Sequence, residues 1–223
     1  MTAYLTGHDY VYGLVPLSYV DSERNIQTFF STFLLLFTAL LLAVITVLKR
    51  KQTASHVSHW AILSFGFLCM AVDETASIHE LLNVPLRKLL GGGNLGVFYY
   101  AWVIPGIALV LALALFFLRF LLRLPAERRL TFLMAATLYI GGAIGVELIG
   151  GRFAELHGDQ NLTFSMIVTV EEGLEMAGVI VFIWALLVYI ADGYKEVRFR
   201  FDGVRGEVTI AGPERPGTSV TDW

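Results

Sequence analysis

Five stretches of this chain are apolar over lengths that match a bilayer, where a spanning helix needs about 20 residues. They run from about Ile26 to Leu48, Val57 to Leu82, Val97 to Leu122, Leu130 to at least Ile149, and Phe164 to Ile190. Inside hydrocarbon the backbone has no water to bond with, so each stretch must be a helix that satisfies its own amides. The sequence therefore predicts an all-α integral membrane protein, a five-transmembrane-helix bundle. A hydrophobic share of 56% and a mean hydropathy of +0.67 exclude an ordinary soluble domain. The net charge of −3 leaves no footprint for nucleic acid. The single cysteine, Cys69, falls mid-span and reads as a small packing residue, with no disulfide framework possible within the chain.

Three regions follow. Residues 1–24 are polar and aromatic and read as a surface segment, with Tyr4, Tyr10, Tyr12 and Tyr19 at headgroup level. They lack the basic-then-apolar form of a cleaved signal. Residues 25–192 are the five-helix domain. In residues 193–223, Val197–Phe201 and Val204–Ile210 alternate around Asp202-Gly203, a hairpin signal. Pro213 to Trp223 reads as a disordered tail. The first span is nearly featureless, and with the third it is expected to face lipid. Pro105-Gly106 suggests a kink in the third, and Gly141 and Gly145 form a small-xxx-small pair suited to close packing in the fourth.

Basic residues set the orientation. With the first and third interhelical loops and the C-terminal tail inside, 12 of the 16 Lys and Arg are inside; only Arg24, Arg87, Lys88 and Arg152 are outside. The N-terminus is then outside, and the chain reads as a multi-pass inner-membrane protein. His56 and His59 fall at the inner end of the second span, where a solvated pair is the plainer reading and a shared ligand the bolder one.

The second span closes on Asp73, Glu74, His79 and Glu80. Ionisable groups at such depth are costly and usually face a bundle interior or a cavity. Glu147 in the fourth span and Glu171, Glu172 and Glu175 in the fifth answer them. In this orientation every intramembrane acid falls in the outer leaflet. Asp73, Glu74 and Glu172 lie roughly 15 Å from the outer helix ends, by a rise of about 1.5 Å per residue. Glu147 matches that depth only if its helix continues through Gly150-Gly151 toward Glu155. His79, Glu80, Glu155 and His157 would form a shallower layer. On an ideal helix Glu74 and His79 diverge by about 140°, whereas Glu172 and Glu175 share a face.

So many carboxylates cannot all ionise in a dry bundle; they must protonate, pair or bind a cation. Arg152 is the one arginine nearby. Carboxylates with imidazole and no thiolate suit iron, manganese or zinc. A buried metal site, possibly dinuclear, is therefore expected, with Glu74, His79, Glu80, Glu147, Glu172, Glu175 and His157 as ligands. Asp73 or Glu171 would be the general base. The Glu-x-x-His pattern of bundle di-iron proteins is missing. The expectation is a membrane metalloenzyme, an oxidoreductase or hydrolase, whose substrate is lipophilic or arrives from outside. The alternatives are a cation or proton transporter or channel, and an accessory subunit with a structural ion. Expected partners are membrane lipid and other membrane subunits or a second copy. The inner half of the spans offers almost no polar groups, which weighs against transport.

Overall fold

The computed structural model describes residues 26–52, 56–194, 196–202 and 205–211. Its helices are α1 (Ile26–Lys51), α2 (Val57–Ala76), the short α3 (Ile78–Leu81) and α4 (Asn83–Leu89), and α5 (Val103–Leu122). After these come α6 (Ala126–Ile140), a π-helical stretch over Gly141–Val146, α7 (Glu147–His157) and α8 (Leu162–Gly193). Four rods are long and apolar enough to cross a membrane: α1, α5, the α6–α7 rod and α8. The pair formed by α2 and the α3–α4 segment, bent by 69°, makes a fifth if taken as one span. The backbones of β1 (Glu196–Asp202) and β2 (Arg205–Ala211) pair antiparallel, with Asp202 opposite Arg205. The expected surface segment, residues 1–24, and the tail from Pro213 lie outside the described residues.

The helices define two ends. At the tail end, where α1 and α8 finish, Leu42, Trp60, Phe120, Phe132, Phe182 and Leu186 form the main apolar core. Trp60 meets Phe120 edge-on with ring centres 5.1 Å apart, and Phe132 and Phe182 do the same at 5.0 Å, the geometry that aromatic quadrupoles favour. Toward the middle, Leu34, Leu35, Ala71 and Val179 form a second cluster. The opposite, or site, end carries the α2–α5 and α7–α8 connections.

Several local features differ from the sequence expectations. The first span is more buried than the third, 44% of its apolar window against 17% for α5, while Phe29, Phe33 and Leu40 keep one apolar face exposed. It packs along α2, and Ser64 donates to the Ala39 carbonyl at 2.8 Å. The fully buried Thr38 is satisfied by its own helix, donating to the Leu34 carbonyl at 2.8 Å. Cys69 is exposed rather than buried in the bundle. Pro105 lies in the first turn of α5, where its missing N–H costs no hydrogen bond, so the proline does not fall in a helix interior. Gly141 and Gly145 meet nothing within 4 Å; the close approaches are made at Gly142 and Gly178 instead. A β-carbon on Gly178 would lie 2.7 Å from the Tyr139 nitrogen, so α8 crosses α6 backbone to backbone there.

The second span does not run unbroken to Leu82. Ser77 adopts left-handed backbone at φ 46° and separates α2 from α3. That geometry costs a non-glycine residue roughly 1–2 kcal/mol. Asp73 offsets it by spanning the break: its own carbonyl accepts from the Ser77 amide at 2.7 Å, and its carboxylate accepts from the His79 amide at 2.9 Å. The fourth span does continue through Gly150-Gly151, as α7, to His157.

Candidate functional site

The break at Ser77 builds the first part of the site. It turns His79 back over the preceding helix, so that His79 Nδ1 lies 2.7 Å from Asp73 Oδ2. Two residues that an unbroken helix would hold apart become a dyad, with both side chains about one third exposed, 32% for His79 and 36% for Asp73. A carboxylate on Nδ1 fixes the proton there and leaves Nε2 as the unprotonated nitrogen of the neutral ring. The imidazole packs on Trp102, ring centres 4.6 Å apart. Trp102 is held by its amide, which donates to Asn83 Oδ1 at 3.1 Å, and its indole Nε1–H donates to Glu147 at 2.9 Å. Glu74, Glu80 on α3, Glu147 and Glu172 are also charges close to His79.

The second part lies between the π-helical stretch and α8. A β-carbon on Gly142 would sit 2.7 Å from the Glu171 carbonyl and 2.9 Å from Glu175 Cγ. The missing side chain lets α8 close up, and the wide π turn ends where Glu147 begins α7. Such π insertions are frequent at functional sites. The Glu147 and Glu171 carboxyls are neighbours. The Tyr139 hydroxyl lies beside Glu175. From α1, Ser31 lies beside Glu74 and Gln27 beside Glu172. Glu172 and Glu175 are also close enough to Glu74 to feel its charge.

Of the residues singled out in the sequence, the fold thus brings Asp73, Glu74, His79, Glu80, Glu147, Glu171, Glu172 and Glu175 into one neighbourhood. It leaves His157 out: that ring stacks on Phe153, centres 4.7 Å apart, beside an apolar groove of about 360 Å³ lined by Val97, Leu148, Ile149 and Leu156. Arg152 is spent on Glu155 at 2.8 Å, and Glu155 also accepts from the Gly96 amide. Neither expected general base is spare, since Asp73 holds His79 and Glu171 meets Glu147. Four contributors were missed in the sequence: Gln27, Ser31, Trp102 and Tyr139. Gln27, Ser31 and Thr38 do recur on the buried face of α1 at helical spacing, and that stripe was the available signal.

Among the described residues, no group of three or more His, Cys, Asp or Glu side chains is arranged to hold a metal ion. Glu147 instead accepts from the Trp102 indole. The chain belongs to the family described as a domain of unknown function, DUF8692, which it matches over residues 4–190. That match covers every residue of the site. No curated protein and no solved structure matches the chain.

Proposed function

We propose that this chain is a multi-pass membrane protein built around a proton-holding acid–base centre, and that it serves chemistry on a lipophilic substrate or one supplied from the site end. The observation that carries this reading is the Asp73–His79 dyad, with His79 Nδ1 2.7 Å from Asp73 Oδ2 and its ring packed on Trp102, whose indole donates to Glu147. Glu147 and Glu171 lie near enough to feel each other's charge, and neighbouring carboxyl groups in a dry bundle do not all stay ionised. Beside them the half-exposed His79 exchanges protons with solvent through its unprotonated nitrogen, Asp73 fixing its tautomer. A general acid–base role for His79 follows, with Asp73 as a positioning residue and the glutamates as the reservoir. Beneath the site Phe67 stacks on Phe182 at 5.2 Å and Phe182 meets Phe132. That aromatic layer supports an enzyme over a transporter, since it sets apolar rings beneath the acids.

The basic residues support the site end as the outer one, the β1–β2 tail as cytoplasmic, and a cell (inner) membrane location. Cysteines placed at Gly92 and Asp159 should react with an impermeant thiol reagent from outside, and one at Gly217 should not. Labelling of the Gly217 variant in intact cells would reverse the orientation.

A second reading is a divalent ion, iron, manganese or zinc, on Glu74, His79, Glu80, Glu147, Glu172 and Glu175. It is favoured by one observation: the partners described for Glu74, Glu147, Glu172 and Glu175 include no lysine or arginine to neutralise them. It requires the side chains to leave their present hydrogen bonds. Infrared spectra of the purified protein, with elemental analysis of the same sample, separate the two. The proton reading expects a carboxylic-acid carbonyl band that shifts in D2O and weakens in Glu171→Gln, with no stoichiometric metal. Stoichiometric metal without that band would replace it with the ion reading. Neither signal would sink both.

A further inference from the structure

A second polar group lies at the tail end, far from the glutamates. His56 precedes α2 with left-handed backbone at φ 69°, a strained setting for a residue other than glycine. The strain places its Nε2 2.6 Å from the Arg123 guanidinium, which caps α5. Arginine is always charged, so His56 must be the acceptor, with its own proton on Nδ1. His59 lies one turn on, its ring 5.0 Å from that of His56 and stacked between Phe116 and Phe120 at 5.1 and 5.3 Å. Its Nδ1 is buried and has no hydrogen-bond partner among the described residues. A buried polar nitrogen left unsatisfied costs about 1–3 kcal/mol. The guanidinium spends one N–H on His56, and no carboxylate is described within ion-pair distance of it. One cation, two imidazoles and an unsatisfied nitrogen, with no acid among them, is a donor set for an anion.

The setting narrows the anion. The group lies where the apolar span meets the basic end of the protein, which holds Lys49, Arg50, Lys51, Arg128 and Arg129. Phe116 and Ile62 beside it are exposed apolar surface, 47% and 41%, as an acyl chain would need. We propose that Arg123 and His56, with His59 packed behind them, bind the phosphate of an anionic phospholipid, with the acyl chains along Phe116 and Ile62. Arg123 supplies the charge and a planar pair of N–H groups, which match phosphate oxygens. His56 donates from Nδ1, and His59, whose own Nδ1 is buried, packs edge-on against the His56 ring.

The test is thermal stability of detergent-purified protein titrated with phosphatidylglycerol, with phosphatidylcholine, and with inorganic phosphate. The wild type should show a saturable rise with phosphatidylglycerol only. Arg123→Gln should weaken its apparent affinity by about tenfold or more, as expected for one charge-assisted hydrogen bond. His56→Gly, which keeps the left-handed backbone and removes the imidazole, should weaken it to a lesser degree. Arg50→Gln, an exposed arginine on α1 at the same end, should leave it unchanged. An equal loss in Arg50→Gln would reduce the effect to diffuse attraction. An equal rise with phosphatidylcholine would mean that no anion is recognised. Saturation by inorganic phosphate alone would identify a free-anion site. Each of these three overturns the proposal. If Arg123→Gln does not fold, an unchanged response in His56→Gly is sufficient to reject it.

Discussion

The two ends of this bundle hold the same helices together by different means. At the tail end the contacts are between large aromatic and aliphatic side chains. At the site end they are hydrogen bonds between acids and neutral donors, made possible where glycine lets backbones touch. The apolar end depends on volume, so it tolerates no deletion. The polar end depends on small size and on proton position, so it tolerates no addition.

The largest effect should therefore come from truncation at the tail end. Trp60 is buried, 1% exposed, and its ring contacts Phe120, Phe132 and Tyr189. Trp60→Ala should lower stability by about 3 kcal/mol or more, the range for emptying a large aromatic site, as read by denaturant or thermal unfolding in detergent. A loss below about 1 kcal/mol would mean that the core is loosely packed and the contrast is overstated.

Addition at the site end should come next. Gly142→Ala places a methyl group against the Glu171 carbonyl and Glu175 Cγ and should cost about 1–3 kcal/mol by overpacking. Gly145→Ala, which meets open space within the chain, should be neutral or stabilise by up to about 1 kcal/mol through helix propensity. Equal costs for the two would put the close packing where the sequence spacing placed it.

The smallest effect concerns the break in the second span. Ser77→Gly relieves the left-handed backbone at φ 46° and should raise stability by about 1 kcal/mol or less, because glycine also gains freedom in the unfolded chain. A clear loss would mean that the serine side chain, not the backbone turn, holds the Asp73–His79 dyad.

Much of the fold was legible because hydrophobic length is a strong signal. The spans were placed within a few residues at most ends, and the acids were expected in one neighbourhood. The site was harder, for reasons visible in particular residues. The angle between Glu74 and His79 was reasoned on an ideal helix, and one left-handed serine with no glycine or proline to announce it removed that premise. Gly141 and Gly145 carried the recognisable spacing, yet the π turn rotates Gly142 into the contact instead. Ser31 and Gln27 were overlooked because the leucines around them made α1 resemble an anchor. His157 was grouped with the acids by depth, but stacking on Phe153 claimed it. Hydrophobic pattern reports which residues leave water; it does not report how a backbone irregularity turns the polar ones.

The glutamates on α8 have a consequence for how the protein is made. Glu147 has its carboxyl partner, and Tyr139 its acceptor, only on the last span to leave the ribosome. Until then α2 and α7 carry acids into the bilayer with Ser31 and Trp102 as their neutral company. A chain stalled before residue 171 would leave Glu147 and Tyr139 without the α8 carboxyls that stand beside them in the finished fold.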